Sequence, residues 1–410
     1  MENNYKPLAG ITVVELATFV AAPYATRAMA DWGANVIKIE PPKGDPMRMM
    51  GGLLNMPTDN EHENPAYDQQ NANKKGIVLN LKHPDGMATL HRLLETADVF
   101  VTNNREDALE RMGLSYEQLS ARYPALVYGQ VSGYGENGPD KDRPGFDFTA
   151  YYARGGISGT LYEKGTSPLL TVAAFGDQQV SLALLSGVCA ALFNAKRTGR
   201  GEKVSVSLYQ TALYCMGHLI ASSQYGKNPY PRSRLDTANP FQAAYPTKDG
   251  RWIQGAVNAY DKEYDRICRL VGREDLAGDE RYNTFQKVKD NPRPFIQELD
   301  KAFQQKTADE WVAIFNEADL PFDKEMLWEE ILEDPQAWGD DDLCLVDGYP
   351  EHEKLGTKRI LVRSPVKFRH MGLPPYERGP KIGENTDQVL ERLGYTDQEI
   401  QSLKAEGAVK

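Results

Sequence analysis

The stretch Ile11-Thr-Val-Val-Glu-Leu-Ala-Thr-Phe-Val-Ala-Ala-Pro-Tyr-Ala-Thr-Arg-Ala-Met-Ala-Asp-Trp-Gly-Ala-Asn-Val-Ile-Lys-Ile-Glu40 decides the fold. Its two ends, residues 11–16 and 35–40, are rich in β-branched side chains, and residues 23–32 between them have helical character. A helix between two short strands is the crossover unit of a parallel sheet. The opening therefore predicts an α/β fold.

The same alternation continues to about residue 135. Further strands are predicted at residues 76–81, 98–103 and 125–131, and a helix at residues 84–97. A helix at 177–196, a strand at 202–208 and a helix at 209–225 follow. The pattern predicts an open parallel Rossmann-like sheet covered by helices.

The composition changes near residue 226. Prolines, a glycine and charged residues at 226–236 are typical of an interdomain linker, and residues 260–318 are mostly helical in pattern. Beyond residue 338 strand and loop character returns, with a strand predicted at 359–362. We expect a large α/β domain at 1–225, a smaller α+β domain at 226–335, and a segment at 336–410 that completes the large domain.

Charge, hydropathy and cysteine usage exclude several classes of protein. The 47 Lys and Arg residues against 58 Asp and Glu give a net charge of −11, so neither nucleic acid nor an anionic membrane is an expected partner. The N-terminus lacks signal-peptide features, and no apolar run approaches the roughly 18 residues that span a bilayer. The four cysteines lack metal-ligand spacing. We expect a soluble cytoplasmic protein without a structural zinc site.

The first strand-to-helix turn is not a dinucleotide-binding turn. Residues 17–23 contain none of the glycines of Gly-x-Gly-x-x-Gly, and no Gly-Lys-Ser/Thr motif follows a strand. Open α/β sheets still bind ligands at the carboxyl ends of their strands. Basic and amide residues follow two predicted strands there and form a candidate phosphate site, although each alone is more often a solvated surface group: Asn80, Lys82, Asn103, Asn104, Arg105 and Arg111.

Asp177 stands out because it follows Gly176 after the apolar run at residues 171–175, which is expected to end a strand, and opens an uncharged helical stretch. An aspartate in that position is an ordinary helix N-cap, since its oxygens accept the first-turn amide hydrogens. A carboxylate in apolar surroundings is also costly unless it has a function. The two interpretations are compatible, because a helix N-terminus keeps a carboxylate ionised and nucleophilic.

A glycine-rich loop runs from Ser132 to Asp147 and leads into a helical segment. Its glycines allow a backbone to approach a ligand closely, although glycine and proline are also ordinary in a long connecting loop.

Motifs in order along nearly the whole chain resemble the class III CoA-transferases. The matching segments are Leu8-Ala-Gly-Ile-Thr-Val-Val-Glu-Leu16, Asp31-Trp-Gly-Ala-Asn-Val-Ile-Lys-Ile-Glu40, Gly44-Asp-Pro-Met-Arg48, Asn73-Lys-Lys75, Gly145-Phe-Asp147, Gly176-Asp177, Thr198-Gly-Arg-Gly201 and Gly383-Glu-Asn-Thr386. Other segments resemble the branch that acts on (R)-2-hydroxy acids: Ala150-Tyr-Tyr-Ala-Arg-Gly-Gly156, Leu161-Tyr-Glu-Lys-Gly165, Asn239-Pro240 and Asp334-Pro-Gln-Ala-Trp338.

The resemblance implies a reaction and a set of site residues. Asp177 falls at the family's catalytic aspartate, which forms an acyl anhydride and then an aspartyl-CoA thioester. CoA contacts carry over to Leu79, Lys82, Asn103, Asn104, Arg105, Arg111 and Arg143. The active-site wall and its oxyanion donors fall at Val20, Ala21, Ala22 and Gly176. Some family members have a glutamine where this chain has Val20, so backbone amides must serve here.

The resemblance also implies an interlocked homodimer and a reaction without metal, nicotinamide or flavin. Coenzyme A enters as the acyl-CoA co-substrate. A pocket for the acid is expected from side chains that are individually more often core residues: Phe146, Tyr152, Met216, Tyr225 and Asn239.

Three alternatives remain at the sequence level. The 2-methylacyl-CoA racemases resemble this family and use a Gly-His-Asp motif, but here Phe146 replaces the histidine and cannot exchange a proton. A CoA-binding protein without catalysis is opposed only by Asp177. A metal-dependent hydrolase is suggested by Asp340-Asp-Asp342, although consecutive acids on a loop diverge and are usually solvated.

Overall fold

The central sheet consists of six parallel strands in the computed structural model, which describes residues 5–226, 229–372 and 376–410. Their order is β3-β2-β1-β4-β5-β6. This confirms the predicted parallel α/β fold. The strands are β1 (Thr12–Leu16), β2 (Asn35–Glu40), β3 (Lys75–Val78), β4 (Val99–Thr102), β5 (Val127–Ser132) and β6 (Lys203–Ser207).

The strand order reverses between β1 and β4, which are hydrogen-bonded neighbours in register from Val13–Val99 to Leu16–Thr102. At such a reversal the connections leave in opposite directions and open a crevice beyond the carboxyl ends of the strands. The segments after β1 and β4 therefore border the place where an α/β sheet binds its ligand.

Helices cover both faces of this sheet. The helices of this half of the chain are α1 (Ala21–Asp31), α2 (Met47–Met50), α3 (Pro65–Asn71), α4 (Pro84–Leu94), α5 (Glu106–Met112), α6 (Tyr116–Arg122), α7 (Phe175–Thr198), α8 (Leu208–Cys215) and α9 (Gly217–Ser223), with a π-helical turn at Asp147–Ala153 and a 3₁₀ turn at Gly51–Leu54.

Two predicted elements differ from the structure. The helix expected at 209–225 is two helices, α8 and α9, because the chain leaves helical geometry at Met216 just before Gly217, a poor helix former. The apolar run before Asp177 is not a strand, and residues 167–172 have no regular structure. They pair with no strand; instead the Val172 carbonyl accepts a hydrogen bond from the Tyr152 hydroxyl.

Helix α7 packs along α1 and against β5 and β6. Among the helices in the described part of the chain, it is the one that is long and apolar enough to span a bilayer. The sequence had predicted no apolar run of that length. Only 44% of its most apolar stretch is buried. The core helix of a water-soluble protein passes the same test, so this is weak evidence for a membrane span.

The chain divides into two compact units. The larger contains residues 1–158, 170–221 and 335–410, and the smaller contains residues 159–169 and 222–334. Residues 159–169 group with the smaller unit, whereas the sequence predicted them in the large domain. The Lys164 amide donates to the Arg232 carbonyl, and the Glu163 carboxylate accepts from the Arg234 amide. The predicted linker at 226–236 lies partly outside the described residues.

The smaller unit is an antiparallel sheet packed on helices around an aromatic core. Phe303 shows the density of this core, because its ring contacts those of Tyr245, Trp311, Phe315 and Phe322. Its elements are β7 (Ala244–Pro246), β8 (Trp252–Gly255), β9 (Phe322–Lys324), α10 (Tyr260–Leu270), α11 (Phe285–Val288), α12 (Arg293–Phe303), α13 (Ala308–Glu317) and α14 (Trp328–Ile331), with 3₁₀ turns at Arg234–Asp236 and Pro240–Gln242.

The last segment returns to the larger unit. Its elements are α15 (Pro335–Gly339), the antiparallel pair β10 (Leu343–Val346) and β11 (Arg359–Val362), α16 (Thr386–Arg392) and α17 (Asp397–Ala405). The final helices pack on the core beneath β3, and Leu79 forms a backbone bridge to Val409. The return segment thereby completes the packing of the sheet edge.

Gly187 sets how closely α7 can approach the sheet. A Cβ at this position would lie 2.6 Å from Val204 Cγ1 on β6. We expect Gly187→Ala to lower the free energy of unfolding by about 1–3 kcal/mol, because overpacking forces the backbone to move. Adding Val204→Ala removes the obstructing methyl, so the double variant should be more stable than the sum of the single effects. Urea denaturation measures all three, and strictly additive losses would contradict this packing constraint.

Candidate active site

Asp177 lies in the first turn of α7, where its carboxylate is half-buried. The helix begins after Ala174, whose φ of 66° is in the left-handed region that an alanine rarely adopts, and the Ala174 side chain makes no capping hydrogen bond. Burial and the nearby charge of Asp147 raise the pKa of Asp177 to about 7. The side chain is therefore poised between its charged and neutral forms at neutral pH.

The second carboxylate of the site belongs to Asp147, the first residue of the π-helical turn, which is only 6% exposed. The backbone amides of Gly176, Ala174 and Asp177 face it and favour its charged form, yet burial prevails and raises its pKa to about 6. Within the described residues, neither of its oxygens has a partner at good hydrogen-bond geometry. Such an unsatisfied buried carboxylate is unusual outside functional sites.

From sequence alone, Asp147 has two alternative roles, as a helix cap or as a residue that shapes the site. Its proximity to Asp177 is a tertiary contact across 30 positions of the chain, which no local pattern reveals. The one available signal was its place directly after the loop glycines, at the end of Gly145-Phe146-Asp147.

Gly176 makes this approach possible. A Cβ on it would lie 2.3 Å from Asp147 Oδ1 and 2.3 Å from Tyr151 Cγ, so no larger residue fits without moving the π-helical turn. The glycine-rich loop is closed in the same way, because a Cβ on Gly145 would lie 2.7 Å from the Cα of Gly133. Glycines thus bring both ends of the loop together two residues before Asp147.

The two carboxyl groups influence each other's surroundings in a desolvated place. Burial raises the pKa of Asp147 to about 6, and burial together with the charge of Asp147 raises the pKa of Asp177 to about 7. Two ionised groups would repel each other with little water to screen them. The arrangement can present one carboxylate as a nucleophile or exchange a proton near neutral pH.

The predicted wall residues lie beside this pair. Val20 and Ala21 are buried at the start of α1, and Val20 packs in a small cluster that includes Ala174. The ring of Phe19 contacts that of Phe146 edge-on at 6.2 Å between centroids. The segment after β1 therefore meets the start of α7 and the residue preceding Asp147.

Asn103 and Asn104 hold the segments after β1 and β4 together. The Asn103 side chain accepts from the Thr18 amide at 3.0 Å and donates to the Thr18 carbonyl at 2.7 Å. The Asn104 amide donates to the carbonyl of Leu16 at 3.2 Å. Both side chains thus have structural partners at the crevice, in addition to any contact with CoA.

The other predicted CoA residues are spread along the carboxyl edge of the sheet. Leu79 is buried, whereas Lys82 is exposed after β3, and Arg105 and Arg111 are exposed after β4. Strands β2 and β1 separate β3 from β4, so at the usual strand spacing these groups lie about 14 Å apart. They do not form one phosphate pocket, but that distance suits an elongated ligand.

Two of these arginines have partners in the structure. Arg111 forms an ion pair with Asp107 at 2.8 Å, and both are exposed. Arg143 lies over the ring of Tyr134 at 5.4 Å and 3.9 Å from Asp140. Exposed pairs of this kind are weak, so the guanidinium groups can exchange their partner for a phosphate.

The predicted pocket residues are divided between the two units. Phe146 is 62% exposed beside the site, Tyr152 and Met216 pack against the core of the larger unit, and Tyr225 belongs to the smaller unit. Asn239 also belongs to the smaller unit, where it caps a 3₁₀ turn and lines a cavity of about 710 Å³. The structure therefore places Phe146 alone among the five in ring contact with the wall segment.

Two clusters contain side chains of the kinds that bind metal ions. In the predicted loop, Asp340 and Asp342 form ion pairs with Lys367 at 2.6 and 2.8 Å, so their charge is compensated. In the described residues, His83, Asp85 and Glu406 bring ligand atoms within 4.8 Å of one another at the surface, an arrangement common without a metal. Neither cluster includes Asp147 or Asp177.

The fold and site together define an open α/β protein whose crevice is built around a carboxylate pair instead of a nucleotide-binding glycine turn. The model of CoA-transferase family III matches residues 8–386, and the chain belongs to that family. It is an enzyme of the class III CoA-transferases, which confirms the resemblance stated from the motifs.

Curated relatives cover almost the whole chain. It is 49% identical to the cinnamoyl-CoA:phenyllactate CoA-transferase of Clostridium sporogenes over 98% of this chain and 97% of the relative. It is 45% identical to the (R)-2-hydroxy-4-methylpentanoate CoA-transferase of Clostridioides difficile over 98% and 99%. A CAIB/BAIF family protein from Brucella suis superposes with a TM-score of 0.82 at 25% identity, over 95% of this chain and 100% of that one.

Replacing Asp147 tests whether its charge sets the titration of Asp177. Asp147→Asn removes the neighbouring negative charge, so the pKa of Asp177 should fall below about 7. Carbodiimide couples amines to protonated carboxyl groups, and peptide mass spectrometry at Asp177 across pH gives the midpoint. Asp68→Asn is the matched control, because Asp68 is also buried with a pKa of about 6 but pairs with Tyr349. Equal midpoints in all three proteins would refute the coupling.

Proposed function

We propose that this enzyme transfers CoA from an acyl-CoA to a 2-hydroxy carboxylic acid through covalent intermediates on Asp177. The observation that carries the proposal is the half-buried Asp177 carboxylate beside the unsatisfied Asp147. The acceptor class is supported by the relatives at 49% and 45% identity, whose names specify phenyllactate and (R)-2-hydroxy-4-methylpentanoate. Both are 2-hydroxy acids.

In the first half-reaction the ionised Asp177 attacks the thioester carbonyl carbon of the donor. A C–O bond forms, the C–S bond breaks, and CoA leaves as a thiolate, which gives a mixed anhydride. The thiolate then attacks the Asp177 carbonyl carbon. The donor acid departs as a carboxylate, and Asp177 carries CoA as a thioester.

The second half-reaction runs the same steps backwards with the new acid. The carboxylate of the 2-hydroxy acid attacks the aspartyl thioester and releases the thiolate, and the thiolate attacks the acyl carbon of the resulting anhydride. The products are the 2-hydroxyacyl-CoA and free Asp177. One thioester replaces another, so no ATP is needed, and no metal, nicotinamide or flavin takes part in the proposed steps.

Asp147 suits this chemistry because its negative charge destabilises the ionised form of Asp177, which the first step of the reaction converts into a neutral anhydride. Acylation makes Asp177 neutral and removes its repulsion with Asp147. At a pKa near 7 a substantial fraction of Asp177 is still ionised at neutral pH and available as the nucleophile. The rate should therefore rise with pH through about 7.

The oxyanions formed at each attack need hydrogen-bond donors. The Gly176 amide faces Asp147, which favours the other predicted donors, the amides of Val20, Ala21 and Ala22 in the first turn of α1. The aliphatic Val20 side chain offers no donor itself, so the proposed stabilisation comes from the backbone.

We propose that the enzyme acts as a cytoplasmic homodimer. The residues that lead into α7 expose apolar side chains: Leu170 is 94% exposed, Val172 57% and Phe175 45%. Unprotected apolar surface beside a water-sensitive anhydride is unfavourable, and a second chain would cover it. Within the larger unit, Lys82, Arg105, Arg111 and Arg143 remain the proposed contacts for the CoA phosphates.

Trapping the aspartyl intermediate tests the mechanism. Incubation with an acyl-CoA and hydroxylamine should convert Asp177 into its hydroxamate, which peptide mass spectrometry detects, and Asp177→Asn should lose turnover by at least about 10⁴-fold, the scale of removing a catalytic nucleophile. Asp340→Asn, in the loop paired with Lys367, is the matched acidic control and should retain activity. An unmodified Asp177 with full activity of Asp177→Asn would refute the proposal.

A panel of acceptor acids tests the substrate class. With one acyl-CoA donor, we expect higher kcat/KM for aliphatic or aromatic 2-hydroxy acids than for the matching acids without the hydroxyl, because a site that binds a hydroxyl loses a hydrogen bond without it. The competing racemase function predicts solvent deuterium at the α-carbon of a 2-methylacyl-CoA. Deuterium incorporation without transfer to any acid would favour that function.

A further inference from the structure

A cluster of buried charges lies beneath the crevice. It consists of Glu15 on β1, Lys38 on β2, and Asp45 and Lys74 in the following loops, and every side chain is at most 6% exposed. Glu15 contacts Lys38 and Lys74 at 2.7 Å each, and Lys38 contacts Asp45 at 2.9 Å. Two acids and two bases therefore compensate one another out of contact with water.

The pairing is strong enough to keep Glu15 charged. Burial alone would raise the pKa of Glu15, but the two lysines lower it to about 2. Burial lowers the pKa of Lys74 to about 8, against the attraction of Glu15. Buried ion pairs add little stability compared with apolar residues of similar size. Such pairs instead fix the positions of the groups around them. The backbone groups that the cluster binds show which segment it holds in place.

Three further hydrogen bonds of this cluster reach the backbone of one segment, residues 17–23. Lys38 donates to the carbonyl of Ala17 at 2.9 Å, and Lys74 donates to the carbonyl of Pro23 at 2.8 Å. Asp45 accepts from the Phe19 amide at 3.1 Å. Asn103, which bonds both backbone groups of Thr18, adds a fourth tether.

The tethered segment is held in an unfavourable backbone conformation. Phe19 has a φ of 63°, which side-chain-bearing residues rarely adopt, and Asp45 bonds the amide of this same residue. The neighbouring residues then meet the site, since Phe19 contacts Phe146 and Val20 packs with Ala174. A strained segment persists only where its surroundings over-determine it.

We propose that Asp45 is a positioning residue for CoA transfer, because it holds the Phe19 backbone so that the segment 19–21 keeps its place against the Asp147–Asp177 pair. The inference rests on the proposed function. Asp45 is a better test than Lys38 or Glu15 because it lies outside the sheet, on the loop before α2. The Asp45 oxygen that accepts from the Phe19 amide also accepts from the Met47 amide.

Two substitutions separate the bond to Phe19 from the ion pair. Asp45→Asn keeps an oxygen that can accept from the Phe19 amide but loses the charge facing Lys38, whereas Asp45→Ala loses both. We expect kcat for transfer to fall on the order of 30-fold in Asp45→Ala, less than for outright removal of an oxyanion donor, and several-fold in Asp45→Asn. KM for the acyl-CoA should change by less than about threefold, because the segment acts after the thioester is bound.

Glu63→Gln is the matched control. It removes one partner of another ion pair, Glu63 with Arg359 at 2.5 Å, in which Arg359 is 6% exposed. Rates are expressed per active site, counted by the hydroxamate formed at Asp177 in a single turnover, so that unfolded molecules do not contribute. Glu63→Gln should keep the wild-type kcat on this basis.

The outcomes are distinct. If Asp45→Ala and Glu63→Gln both keep the wild-type kcat per active site, Asp45 has only a structural role and the inference is wrong. If Asp45→Ala does not fold, Asp45→Asn provides the test: a several-fold fall in kcat per active site with an unchanged KM for the acyl-CoA supports tethering, and a wild-type kcat overturns it. A wild-type protein without any transfer activity would instead refute the proposed function.

Discussion

The energetic cost of keeping a carboxylate out of water governs this structure, and the molecule resolves it in two opposite ways. Beneath the crevice, Glu15 has two lysines within 2.7 Å and a pKa of about 2. In the crevice, the charged group that acts on Asp177 within the described residues is another carboxylate, Asp147, and the pKa of Asp177 is about 7. Compensation makes the first acid an inert structural charge. Its absence leaves the second acid with a raised pKa, and in the proposed mechanism that acid is the nucleophile.

The turn after β1 explains why a Rossmann-like strand order occurs here without a nucleotide-binding site at the first helix. A glycine-rich turn leaves space for a pyrophosphate at the first helix. Here the turn after β1 is filled by Val20 and Ala21, and side chains from three other segments hold it. The basic residues proposed to bind CoA are displaced along the edge of the sheet, with Lys82 following β3 and Arg105 following β4.

The sequence predicted the elements better than it predicted the site. The six parallel strands and the position of Asp177 at a helix start follow from local periodicity and capping. The partnership of Asp147 with Asp177, and the two bonds of Asn103 to Thr18, depend on chain segments brought together only in the folded protein. The apolar run before Asp177 was misread as a strand, because apolar side chains without sheet partners resemble a strand in sequence. Family motifs supplied the chemistry that periodicity could not.

The meeting of Gly133 and Gly145 has a consequence for how such enzymes diversify. The two glycines hold the ends of the intervening loop within van der Waals contact, and Asp147 lies two residues after the second. Apart from Arg143, the residues between them can vary in length and composition without displacing the carboxylate, since loop closure is already fixed at its base. The loop can therefore acquire new contacts while the carboxylate pair keeps its geometry.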